Sequence, residues 1–173
     1  MNGLVMAFLL IAAALLQAVS PAAVLLAQAR WPALAAVVVY YALARERRDW
    51  LWAAVLAGLI QDGMGLIPFG YSSFAFCLLA VSIARFRDVV FVHEAVTHML
   101  FGGWMAAGST LILYLLLTST GLIALSVGQG LHKVAGAALL GVIVTPLIFY
   151  GCARMDQLLG LVESSDSSWR ELH

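Results

Sequence analysis

A chain of 173 residues that is 64% hydrophobic, 10% charged and of zero formal net charge departs far from a soluble domain, in which roughly a quarter of residues are charged and about half are apolar. A mean hydropathy of +1.00 leaves more apolar surface than a fold of this length can hide from water. The composition predicts an integral membrane protein, and the balanced charge excludes the basic face that a nucleic-acid partner needs.

A helix needs about 20 apolar residues to cross roughly 30 Å of hydrocarbon, and charges and glycine/proline clusters divide this chain into segments near that length. The first predicted span runs from Leu4 to Ser20 and stops at Pro21. Its start, "MNGLVMAFLL", lacks the basic region of a secretion signal and reads as a retained helix. The stretch from Ala22 to Ala29 is too short to cross. Spans follow over Trp31–Ala44, Trp50–Leu66, Tyr71–Ala84, Ala95–Thr118 and Lys133–Ala153, the last with Pro146 inside it. Together they predict an all-α, polytopic membrane helix bundle of about six transmembrane helices, or five if the first two are misdivided. The bundle would occupy residues 1–154, and 155–173 would form a short cytoplasmic juxtamembrane tail.

Orientation follows from the arginines. Arg45, Arg47 and Arg48 separate spans two and three, Arg85 and Arg87 separate spans four and five, and Arg154 follows span six. With six spans these positions share one side, and cytoplasmic loops collect Lys and Arg. The sequence therefore predicts both termini in the cytoplasm of a multi-pass protein.

One carboxylate stands inside an apolar span: Asp62, in "AGLIQDGMGLIPFGY". Such a residue is costly in hydrocarbon and faces a bundle interior or a cavity. Gly58 lies one turn earlier on the same helix face, where a missing side chain admits a neighbouring helix. Gly63, Gly65, Pro68 and Gly70 predict a broken helix end over 63–70, whose polar backbone must be covered by protein or water. Two roles stay open for Asp62. It is a proton or cation site, or it is a cap that accepts from N–H groups of the broken backbone near Gly65.

The order G-x-x-x-D followed by glycine eight residues later (Gly58, Asp62, Gly70) resembles the signature of the MreD family, the membrane subunit of the bacterial rod-shape machinery. A proline-led second span with an aromatic pair, Pro32 and Tyr40–Tyr41, and a late proline in the last helix, Pro146 in "GVIVTPLIFY", are similar too. The resemblance implies a non-catalytic scaffold of the cell-elongation machinery in the bacterial cytoplasmic membrane. That scaffold would bind the single-pass protein MreC and help direct lateral peptidoglycan synthesis and maintain cell shape. Through MreC it would reach the elongation-specific synthase pair and the actin-like filament, with no cofactor and no small-molecule substrate. The implied packing residues are Pro32, Tyr40, Gly58, Asp62, Gly65, Gly70 and Pro146. The basic loops at Arg45–Arg48, Arg85 and Arg87 would meet cytoplasmic components or anionic membrane lipid.

Other patterns carry less. In "HEAVTH", His93 and His98 are five apart, about 140° around a helix, whereas the zinc motif needs a spacing of four. Cys77 and Cys152 lack a CxxC spacing and read as small core residues. GxSxG is absent, and Ser109, Thr110, Thr118 and Ser119 have no convincing histidine or aspartate partner. The alanines at 14, 18 and 22 form a small-xxx-small ladder. Such a ladder is also the docking face of the substrate-binding subunit of energy-coupling-factor vitamin transporters, which is the alternative function. That alternative requires a pocket built from residues such as Asp62, Tyr71, Trp104, His132 and Lys133.

Overall fold

A computed structural model of the chain describes residues 2–20, 31–44, 49–65, 68–86, 95–121 and 126–158. Among the described residues there are six helices and no strand: α1 (Asn2–Val19), α2 (Ala33–Ala44), α3 (Asp49–Gly65), α4 (Tyr71–Phe86), α5 (Ala95–Ser119) and α6 (Val127–Leu158). All six overlap the predicted spans. The stretch 22–29, Arg45, Arg47, Arg48, Arg87, His93 and the tail beyond Leu158 lie outside the described residues.

The main boundary difference is at α6, which begins six residues before Lys133. Its start is set by hydrogen bonding rather than by charge. Ser126 and Gln129 form a reciprocal cap: the Gln129 N–H donates to Ser126 Oγ at 3.4 Å, and the Ser126 N–H donates to Gln129 Oε1 at 3.2 Å. With its end groups satisfied, the helix extends past the apolar stretch and reaches 32 residues. Pro146 is accommodated inside it. The predicted break over 63–70 is more confined than the glycines suggest, because α3 stays helical through Gly63 to Gly65 and the chain turns at Phe69–Gly70. A glycine inside a helix costs only about 1 kcal/mol relative to alanine, too little to end one that is held by packing.

α2 is the centre of the bundle. Every residue from Ala33 to Leu43 is buried, and α2 packs against each of the other five helices. Its sequence, "ALAAVVVYYALA", explains this: alanines and β-branched valines keep the rod thin, and it carries no charged side chain. Pro32 sits immediately before it, and its carbonyl accepts the first helical bond from the Ala36 N–H at 3.0 Å. Tyr40 reaches α6 by an edge-to-face contact with Phe149, ring centroids 4.9 Å apart, and His98 of α5 stacks on the same ring at 3.6 Å. Aromatic pairs of this kind add about 0.5–1.5 kcal/mol beyond area burial.

α5 and α6 run antiparallel and cross closely through two small-residue pairs, Gly102/Ala106 and Gly141/Thr145. A side chain added at Gly102 would strike Thr145, and one at Gly141 would strike the Gly102 carbonyl. Without a hydrophobic drive between helices in lipid, this close backbone approach is how such helices gain dispersion contacts.

The outer surface is apolar. Phe8, Ile11 and Leu15 on α1, Phe74, Leu78 and Val81 on α4, and Leu139, Ile143 and Leu147 on α6 are all exposed at helical spacing. Val96–Ser119 and Val127–Met155 are long and apolar enough to cross a membrane, with mean hydropathies of 1.7 and 2.0. Only 28% and 33% of those windows are buried, so these are not the sequestered core helices of a water-soluble protein. The fold is a helical membrane-type bundle.

Candidate functional site

Of the buried polar side chains described, Gln17, Asp62, Ser72 and Ser109 lie toward the end formed by the C-termini of α1 and α3 and the N-termini of α2, α4 and α6, while Thr97 and His98 lie toward the opposite end. Asp62 is the centre of the first group, 1% exposed. Its carboxylate binds across the α3–α4 turn: Oδ2 accepts from the Gly70 N–H at 2.7 Å and Oδ1 from the Ser72 N–H at 3.0 Å. Gly70 is the residue before α4, and its carbonyl accepts the first α4 bond, from Phe74, at 2.8 Å. Two of the four N–H groups that a helix start leaves unsatisfied are thus met by a side chain from the preceding helix. An anion there also faces the positive end of the α4 dipole.

Gly70 explains why the cap is borrowed. Its φ is +102°, a conformation that side chains rarely adopt, so the cap position itself has no side-chain oxygen to offer. The sequence reading placed the donors near Gly65; the structure places them at Gly70 and Ser72. Gly65 is instead the last residue of α3.

Gly58 faces α4. A Cβ at Gly58 would collide with the backbone of Ser73. The Ser73 hydroxyl donates to the Val55 carbonyl at 3.0 Å, so the two helices touch backbone to backbone and are cross-linked beside the contact. Gly58, Asp62, Gly70 and Ser73 form a single α3–α4 clasp. Tyr40 belongs to a different region, the α2–α6 packing on Phe149 toward the opposite end, and Pro146 is half-buried inside α6. Arg85 is exposed in the last turn of α4, at that same opposite end.

Two residues that sequence reasoning missed lie beside the clasp. Gln17 of α1 is 5% exposed and repeats the borrowed-cap arrangement: its Oε1 accepts from the Leu34 N–H at the start of α2, at 3.4 Å. Its Nε2 donates to Gln61 Oε1 at 2.7 Å, so α1, α2 and α3 are tied through one amide pair. The signal available was an amide near the end of each of two apolar spans, which in hydrocarbon calls for a partner.

A cavity of about 330 Å³ opens next to this pair, lined by Gln17, Gln61, Trp31, Phe76, Thr110 and Lys133 among others. Of the residues a vitamin pocket would recruit, Lys133 alone reaches it. Asp62 spends both oxygens on α4, and Trp104 lines a separate apolar groove with Phe86 and Leu100. No group of three or more His, Cys, Asp or Glu side chains is arranged to hold a metal among the described residues.

No curated protein and no solved structure matches the chain. A family model described as rod shape-determining protein MreD matches residues 1–152. With nearly the whole bundle inside that match, the clasp residues included, the chain belongs to the MreD family of rod shape-determining proteins.

Proposed function

We propose that this rod shape-determining membrane protein is a non-catalytic scaffold, a six-span bundle with both termini in the cytoplasm. Its partner is the single-pass protein MreC and, through it, the elongation synthase pair and the actin-like filament, so that lateral peptidoglycan synthesis is directed and cell shape maintained. The observation that carries the scaffold reading is the occupation of Asp62. A carboxylate whose two oxygens both accept backbone N–H groups has its acceptors committed to structure rather than to cargo. The family match over residues 1–152 supports the cell-shape setting, and the apolar outer face supports partner binding within the bilayer. The Arg45–Arg48 loop and Arg85 are suited to cytoplasmic partners or anionic headgroups.

The test is depletion in a rod-shaped host together with affinity purification of the full chain from membranes. Round or swollen cells and co-purification of MreC are expected. Unchanged rods with a new nutrient requirement would replace the scaffold reading by vitamin uptake.

A further inference from the structure

The cavity beside Gln17 and Gln61 is not used by the clasp, and its volume of about 330 Å³ falls within the range of small-ligand sites, roughly 300–1,000 Å³. Much of its polar lining is already engaged within the fold. Gln17 is committed in both directions, to Leu34 and to Gln61. The hydroxyls of Ser109 and Thr110 both donate to the Ala106 carbonyl, at 3.1 and 2.8 Å. The Nε2 of Gln61 and the ammonium of Lys133 make no hydrogen bond or ion pair among the described residues. Among the described residues, no acidic side chain lines the space. The cavity therefore presents, among the described residues, the Gln61 N–H donors and one cation without a partner, in a wall that also holds Trp31, Phe76, Leu113, the engaged Gln17, Ser109 and Thr110, and small residues.

An amide N–H, a positive charge and aromatic walls complement an anion on an apolar body, and the hydroxyl oxygens of Ser109 and Thr110, whose protons are spent on Ala106, can accept from a hydroxyl or amine of the same head. We propose that this cavity binds an anionic amphiphile, its phosphate or carboxylate head held by Lys133 and Gln61 and its apolar part against Trp31, Phe76 and Leu113. The site lies at the end of the bundle opposite Arg85 and Arg154, so it is distinct from any headgroup attraction exerted by the arginine-rich end. The proposal is independent of the scaffold reading. A membrane lipid and a small organic anion share the chemistry, and they differ in whether the head alone suffices.

The experiment uses the full chain purified in detergent. Phosphatidylglycerol, oleate, zwitterionic phosphatidylcholine and glycerol 3-phosphate are added separately, and thermal stability and native mass spectrometry are recorded. One retained phosphatidylglycerol or oleate is expected, with no comparable retention of phosphatidylcholine. Lys133 is exposed, so Lys133→Gln folds normally; it should weaken retention about tenfold or more, as loss of a charge-assisted hydrogen bond does, while Lys133→Arg keeps it. Stabilisation by glycerol 3-phosphate as well identifies a soluble source, and stabilisation by the amphiphiles alone identifies a lipid. Wild-type retention in Lys133→Gln, an equal loss in Arg154→Gln, or no binding of any anionic probe would overturn the proposal.

Discussion

Asp62 and Gly70 complete one another across eight residues of chain: the glycine adopts a φ of +102° that leaves it without a capping side chain, and the aspartate accepts its N–H at 2.7 Å. Each makes the other necessary. Asp62→Asn keeps one acceptor but turns an amide donor toward an N–H, so one of the two bonds is lost. A charge-assisted bond contributes about 1.5–3 kcal/mol, and a loss of about 2 kcal/mol is expected. Asp62→Leu abandons both N–H groups in a dry site and should cost about 4 kcal/mol or more. Unfolding of the purified variants in a mixed micelle measures the series, and equal stability of Leu and wild type would remove the cap from the account.

Gly58 and Gly63 differ by five positions and should respond oppositely to alanine. At Gly58 the methyl meets the Ser73 backbone, while at Gly63 it meets nothing within 4 Å. Gly58→Ala is expected to pry α3 from α4, weaken the Asp62 cap and cost about 2–3 kcal/mol by overpacking. Gly63→Ala should be neutral or gain up to about 1 kcal/mol of helix propensity. Midpoint shifts of the same sign would contradict the close approach.

The α5–α6 crossing makes a parallel case. Gly102→Val inserts bulk against Thr145, whereas Gly151→Val, with open space around its Cβ, presents it to the surroundings. The first should reduce stability by about 3 kcal/mol or prevent assembly, and the second should leave the folded yield near wild type. Steady-state protein level and protease resistance in membranes report the difference.

Gln17 and Gln61 should be energetically coupled. Gln17→Ala strands the Leu34 N–H and the Gln61 carbonyl together, so adding Gln61→Ala to it should cost less than Gln61→Ala alone. A coupling of about 0.5–2 kcal/mol in a double-mutant cycle is expected, and strict additivity would mean that the 2.7 Å bond contributes nothing.

How much of this was legible depended on contrast with the background. Asp62 stood out because an acid in an apolar run requires a reason, and Gly58 followed from a spacing of one turn. The direction of the cap did not follow, because it depends on how tightly the chain turns at Gly70. Gln17 and Gln61 are separated by 44 positions, and nothing local pairs them. The Gly102/Ala106 and Gly141/Thr145 pairs came only from the structure, because spacing does not choose a partner among several helices. Least legible was the central place of α2. In water an all-apolar helix is a buried one; in lipid, helices facing outward are apolar too, so composition no longer separates axis from rim.

That enclosed position has a consequence for biogenesis. α2 emerges second from the ribosome, yet part of its sheath, the side where Phe149 meets Tyr40, is encoded more than a hundred residues later. A nascent chain must therefore hold a thin, alanine-rich axle against lipid or insertion machinery until the final helix swings over it. A nonsense mutation ahead of Pro146 would do more than shorten the protein: it would leave the axle uncovered along that side and mark the fragment for degradation.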